Sequence, residues 1–227
     1  QYYPDYAYRH PLFSPGMRIY SDSTVSKFLS SVKDEQIAGF LNDWNTDRDH
    51  KSRIYVSYDS TNKNCQAGDV DFVEFGKAKV DLGLPIFNVG LAMDQNNRIP
   101  LFYELYPGSI NDVSQFKFMV DKAVGYGYKN IGFIIDRGYF CKANIRYMDK
   151  KNYGFVMMVK GCKPLVCAII DEHRGTFETR RACSIAGHHI HGTTVKRKLF
   201  PDDERERYLH LFFSPVKMMK ERCRLED

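Results

Sequence analysis

The run Ile131-Gly-Phe-Ile-Ile135, closed abruptly by Asp136, constrains the fold more than any other stretch. A short continuous apolar run bounded by turn residues reads as a strand buried on both faces. Such strands belong to parallel sheets, whose ligands gather at the carboxyl ends of the strands. Asp136 stands at that end, followed by Arg137 and Gly138. An Asp after a strand also serves as a helix cap, so the residue alone decides nothing. A second stretch shifts the balance. Ile54-Tyr-Val-Ser-Tyr-Asp59 has a strand pattern that again ends on an Asp, followed by Ser60 and Thr61.

Composition sets the outer bounds. At 227 residues, 43% hydrophobic and 27% charged, the chain can bury a full core with an appendage. A formal charge of +5 permits a polyanionic partner without demanding one. The six cysteines (65, 141, 162, 167, 183, 223) follow no tight repeat. There is no run of membrane-span length and no secretory leader, so a reduced cytosolic chain with no membrane partner is expected. Because the chain opens on Gln1, a piece of a longer protein is expected.

Residues 1–52 read as an irregular Tyr/Pro/His-rich arm followed by a helical subdomain. Ser21-Asp-Ser-Thr24 supplies caps for a helix striped by Val25, Phe28, Leu29 and Val32. Asp34 is placed to cap a second, striped by Ile37, Phe40, Leu41 and Trp44. These two helices are expected to pack rather than to read DNA.

Residues 53–161 alternate differently. Strands are expected at Ile54–Asp59, Ile86–Met93 and Leu101–Tyr106, the last two forming a hairpin around Asp94-Gln-Asn-Asn97. Asn111 or Asp112 then caps a helix whose apolar positions are 113, 116, 120, 123 and 124, and Gly125 and Gly127 end it. The strand to Asp136, a helix with Cys141, Ile145 and Met148 on one side, and a strand Phe155–Val159 complete the unit. Residues 162–227 read as a β-rich appendage, with alternating pieces at Thr176–Arg180, Thr193–Leu199 and Tyr208–Phe213.

Three strands followed by two helix–strand units match an RNase H-like α/β arrangement, a mixed five-stranded sheet flanked by helices. There the first and fourth strands run side by side, so Asp59 and Asp136 end neighbouring strands. Two carboxylates so placed repel unless cations lie between them. Mg²⁺ takes one or two carboxylates, with water and phosphate oxygens completing its shell, and paired ions serve in-line phosphoryl transfer.

Tyr58-Asp-Ser-Thr61, Pro107-Gly-Ser-Ile-Asn-Asp112 and Asp136-Arg-Gly-Tyr139 with Asn144, in that order and spacing, resemble the DDE transposases of bacterial insertion sequences. In that branch a β-rich insertion interrupts the catalytic core. The resemblance covers Ile54 to Gly161 well and the rest loosely. It implies that Asp59 and Asp136 are catalytic metal ligands for two Mg²⁺ or Mn²⁺ ions. The implied reaction is nicking at transposon ends followed by strand transfer into target DNA. The implied partners are double-stranded DNA and a second copy of the full-length protein, in a bacterial or archaeal cytoplasm. The family's third acid is a Glu in a Tyr-x2-Arg-x3-Glu-x6-Lys signature. None of Glu172, Glu178, Glu204, Glu206 and Glu221 has that context. The acid is therefore expected beyond residue 227, 162–227 is expected to be an incomplete insertion, and the 227-residue chain alone is expected to be inactive.

Other constellations have plainer readings beside the functional ones. Lys142, Arg146 and Lys150 recur at i, i+4, i+8 and fit either a phosphate track or a solvated helix face. Arg137 suits a phosphate or a neighbouring carboxylate. Lys196-Arg-Lys198 is a short basic run of a kind common on surfaces. Asp112 fits a helix cap. Cys162 and Cys167 with His188, His189 and His191 match no closed zinc spacing. Two rival functions remain. One is a phosphatase with Asp59 as nucleophile, which usually wants a second Asp where Thr61 stands. The other is a non-catalytic DNA-binding remnant of a transposase.

Overall fold

The computed structural model describes residues 3–11, 15–16 and 18–226, without the side chains of Tyr3, Asp112 and Glu226. The rest of the N-terminal arm, expected to be irregular, lies outside the described residues. The chain divides into two compact units, residues 1–158 and 159–227.

The first unit is built on a five-stranded sheet: β1 (Ile54–Asn64), β2 (Ile86–Asp94), β3 (Ile99–Pro107), β4 (Ile131–Ile135) and β5 (Gly154–Met157). Its order is β3-β2-β1-β4-β5. β1–β2 and β2–β3 pair antiparallel, while β1–β4 and β4–β5 pair parallel. This is the RNase H-like arrangement, with β1 central and its two neighbours running in opposite senses.

Alternation on these strands decides what is buried. Val56, Tyr58, Phe133 and Ile135 turn to one face and are at most 5% exposed. α4 (Asp112–Gly125) contributes Phe116, Met119, Val120 and Ala123, and α5 (Lys142–Lys150) contributes Ile145 and Met148, all fully buried. The rings interlock: Phe116 meets Phe133 edge-on at 6.1 Å between centroids, and Phe133 meets Tyr153 at 5.6 Å. α4 starts from Asn111, whose side chain accepts from Ser114 N, so Asn111 is the cap.

The other face corrects the opening expectation. β4 is not buried on both sides: Ile134 is exposed, as are Tyr55, Leu91, Tyr103, Leu105 and Val156. Among the described residues, the helices that would make the strand doubly buried pack on one face only.

The helical segment also departs from expectation. α1 (Tyr3–Arg9) is a helix within the arm that was expected to be irregular, braced by an Arg9–Asp5 pair at 3.1 Å. α2 (Asp22–Ser31) is capped by Ser21 as expected, but its Phe28 and Leu29 are exposed and the helix buries nothing. α3 (Asp34–Thr46) has Lys33, not Asp34, at its N-cap position; the Lys33 side chain makes no capping bond, but Lys33 N donates to Gln36 Oε1. It packs through Leu41, and through Trp44 and Asn45, which donate to the carbonyls of Pro100 and Leu101 on β3.

The second unit holds a three-stranded antiparallel sheet, order β6 (Ser184–Ile185), β7 (Ile190–Arg197), β8 (Arg207–Phe213). It also holds two helices that the β-rich reading missed, α6 (Lys163–His173) and α7 (Pro215–Glu226). Thr176–Arg180 is a turn rather than a strand. The Glu178 carboxylate accepts from Gly175 N and Phe177 N, and these bonds hold that carboxyl below its ordinary range.

Two buried phenols make the first unit sensitive to alkali. Burial, then the Glu104 charge, pushes the Tyr58 phenol up, and burial pushes that of Tyr128 up to about 12. Below pH 10 both states hold these protons and the stabilisation is complete. Above it the unfolded chain releases them while the folded chain retains them. Stability should therefore fall between pH 10 and 12, by up to about 1.4 kcal/mol per pH unit for each such tyrosine. Urea midpoints measured from pH 9 to 11.5 should decline, and less steeply in Tyr58→Phe. An equally steep decline in that variant would count against Tyr58.

Candidate active site

The register of β1 against β4 positions the site. The last parallel pair is Tyr58↔Ile135. Asp59 is the next residue of β1, which runs on to Asn64, and Asp136 is the first residue after β4, so the register brings their backbones to neighbouring positions at the carboxyl end of β4. Since Tyr58 turns into the core, alternation turns Asp59 to the open face; Asp136 follows the last residue of β4, and both aspartates are exposed. Past this point β1 continues to Asn64 paired only with β2, because β4 has ended. There β4 no longer covers that flank of β1, and the Lys79 ammonium sits on it at Ser60 O, beside the position where the strand order reverses.

Asp136 occupies the cap position of a 3-10 turn, Arg137–Tyr139, but its carboxylate makes no capping bond. The plain reading of Asp136 as a cap therefore does not account for it. Asp59 Oδ1 accepts from Ser60 N at 2.9 Å. Arg137, Lys142, Arg146 and Lys150 are exposed, the last three along the face of α5 opposite Ile145 and Met148.

The floor beneath the two aspartates is aromatic and rigid. The Tyr58 ring lies 5.5 Å from that of Tyr139, and Tyr139 lies 6.0 Å from Phe116. Tyr58 Oη donates to Glu104 Oε2 (3.3 Å), Gln115 Nε2 donates to the same oxygen (3.0 Å), and Lys122 Nζ lies 4.0 Å from Oε1. Gly90 makes room for this phenol: a Cβ there would lie 2.0 Å from Tyr58 Oη. Asn144 is buried and donates to the carbonyls of Tyr139 and Val113, tying the loop after Asp136 to the start of α4. Asn88 donates to the carbonyls of Pro107 and Ile110, and so fixes the Pro107-Gly-Ser-Ile turn. Gly108 is required there, since a Cβ would lie 2.3 Å from Ile86 O.

Sequence reasoning missed Glu104, Gln115, Asn88 and Lys79. Glu104 and Asn88 left a readable signal, as polar residues at inward positions of otherwise apolar alternations. Lys79 left none. It lies in a segment strapped to the end of β1 by Asn62 and Asn64, and its ammonium reaches Ser60 O at 2.9 Å, one residue from Asp59.

A divalent cation fits the donor set. The two side chains are exposed hard oxygen donors, and that of Asp136 makes no capping bond, which suits an ion that keeps several water or phosphate ligands. Among the described residues no three His, Cys, Asp or Glu side chains gather into a metal-binding group. Cys162, Cys167, His188, His189 and His191 therefore form no such cluster. No helix among the described residues is long and apolar enough to cross a membrane.

The sequence profile of the family "Transposase DDE domain" matches residues 57–208, and the chain belongs to that family, whose members are polynucleotidyl transferases. Membership leaves the aspartyl-phosphatase reading without support. None of the curated proteins matches the chain. Among solved structures it is similar to the piggyBac transposase synaptic complex with hairpin DNA, at 10% identity and a TM-score of 0.45, covering 85% of this chain and 40% of that one. It is also similar to the Drosophila P element transposase strand transfer complex, at 13% identity and a TM-score of 0.37, covering 74% and 40%. The pre-cleavage Mos1 transpososome follows at 11% identity and a TM-score of 0.30, covering 60% and 46%. The chain thus spans under half the length of each.

Proposed function

We propose that this chain carries two acids of a DNA transposase active site. Asp59 and Asp136 hold divalent cations, Mg²⁺ or Mn²⁺, against a DNA phosphate. The observation that supports the reading is the Tyr58↔Ile135 register, which sets Asp59, within β1, next to the position of Asp136, just past the end of β4, across 77 positions of sequence. When bound, the cations supply charge neutralisation of the scissile phosphate and activation of the attacking oxygen. The chain's own contribution is positional. The Tyr58–Tyr139 contact and the Asn144 bonds hold this stretch of β1 and the end of β4 so that the carboxylates need not reorganise on binding, and the open face admits a DNA backbone.

Arg137 is proposed to pair with a phosphate beside the reacting one. Lys142, Arg146 and Lys150 are proposed to follow the DNA backbone outward along α5. The substrate is double-stranded DNA, at transposon ends and target, and the full-length protein works as a homodimer on paired ends. Residues 53–161 form the catalytic core in this reading, with 1–52 preceding it and 162–227 inserted into it.

The test is the salt dependence of duplex binding. Each phosphate contact contributes close to 0.9 to the slope of log affinity against log salt. Replacing Lys142, Arg146 and Lys150 by alanine together should therefore flatten the slope by about 2.7. Fluorescence anisotropy of a labelled duplex over a series of NaCl concentrations reads this directly. An unchanged slope would return the stripe to an ordinary solvated face.

A further inference from the structure

The β7–β8 ribbon of the second unit presents a face that the active-edge reading does not use. Its register pairs Gly192 with Phe212, Thr194 with His210 and Lys196 with Tyr208, which puts these six residues on one side of the sheet. That side is open: Tyr208 is 68% and Phe212 64% exposed, and Thr194, Lys196 and His210 are exposed with them. The opposite side carries the buried Val195. Tyr208, His210 and Phe212 thus form one row of exposed rings along a regular strand.

The rings are held in place. Thr194 Oγ1 hydrogen-bonds His210 Nδ1 at 2.8 Å. Lys196 Nζ sits 5.7 Å from the Tyr208 ring centre. Phe212 lies over Gly192, where a Cβ would come 3.2 Å from its Cδ1.

We infer that this face binds single-stranded nucleic acid, stacking unpaired bases on Tyr208, His210 and Phe212 with Lys196 on the phosphate backbone. Three features favour this occupant over a protein partner. The rings recur at every second residue, about 6.6–6.8 Å apart. That is roughly twice the 3.4 Å rise per nucleotide of a duplex strand, so they match bases drawn apart rather than stacked on each other. Aromatic side chains on an open sheet beside a cation form the usual platform for single strands. The charge is also complementary, since residues 159–227 hold fourteen Lys and Arg against ten Asp and Glu. The face reads bases that a duplex hides, so it is distinct from the backbone track proposed on α5.

The experiment uses the full 227-residue chain, a fluorescein-labelled twelve-nucleotide oligo-dT and a duplex of equal length, in EDTA. The duplex is the reference for the α5 track, and the expected result is saturable binding of oligo-dT. Tyr208→Ala and Phe212→Ala should each weaken it by about tenfold or more. Tyr208→Phe should keep the affinity, and Lys196→Ala should lower the salt slope by about 0.7. Tyr208→Phe also guards against misfolding, because it retains the ring. Either of two results would overturn the inference: no saturable binding of oligo-dT, or alanine variants that bind it as the parent does. So would a concentration-dependent dimer lost in Phe212→Ala without oligonucleotide binding, since that would make a second copy the occupant. With EDTA present the outcome does not depend on Asp59 or Asp136, so a failure here leaves the active-edge reading standing.

Discussion

Phe133→Ala is expected to be the most destabilising simple truncation in the first unit, at about 3–5 kcal/mol. Phe133 is fully buried at the centre of β4, edge-on to Phe116 and Tyr153. Removing the ring loses its transfer free energy and leaves a cavity. Walls made of two helices and a paired strand cannot readily collapse into such a cavity. The melting temperature should fall by about 10 °C or more. Val156→Ala is the matched control. Val156 pairs with Ile134 on the neighbouring strand but is 57% exposed on the open face. Its truncation should stay within about 0.5 kcal/mol. Comparable losses from the two variants in urea denaturation would mean that the open face is packed in solution.

The parts of this fold that were legible are those with a period. The apolar run Ile131–Ile135, stopping on Asp136, gave β4, while the alternation Ile54–Tyr58 gave only the first half of β1, which runs past the expected end at Asp59 to Asn64 because β2 still pairs it there. The short Asp94–Asn97 turn gave the β2–β3 hairpin. What could not be read was which face of a strand is covered. Ile134 is as apolar as Ile135, and only the placement of α4 and α5 distinguishes them. Side-chain bonds to backbone were equally silent, since the straps from Asn62 and Asn64 to the segment around Lys79 obey no spacing. Thr176–Arg180 misled because its alternation is that of a strand, while Glu178 gathers the nearby amides into a turn. Glu104 and Gly90 stood in between. A carboxylate among inward apolar residues announces a partner, but only the fold shows that the partner is the Tyr58 phenol.

The second large effect concerns the two carboxylates. Both carboxylates are exposed, so Asp59→Asn and Asp136→Asn should melt no lower than the parent in EDTA. With Mn²⁺ the order should reverse, because a ligand that binds only the folded state stabilises it, and the parent binds it best. A divalent ion about 4 Å from a unit charge gains about 2 kcal/mol even in bulk water. Removing either carboxylate should therefore weaken Mn²⁺ binding by about thirtyfold.

The most direct measurement is a titration of Mn²⁺ into the 227-residue chain, with free ion read by electron paramagnetic resonance. The parent, Asp59→Asn, Asp136→Asn and the exposed control Glu35→Gln should be compared side by side. The account predicts saturable binding by the parent and Glu35→Gln, and a loss of about thirtyfold in each Asp variant. Equal binding by all four chains, or no saturable binding by the parent, would contradict it and leave a non-catalytic remnant as the better description.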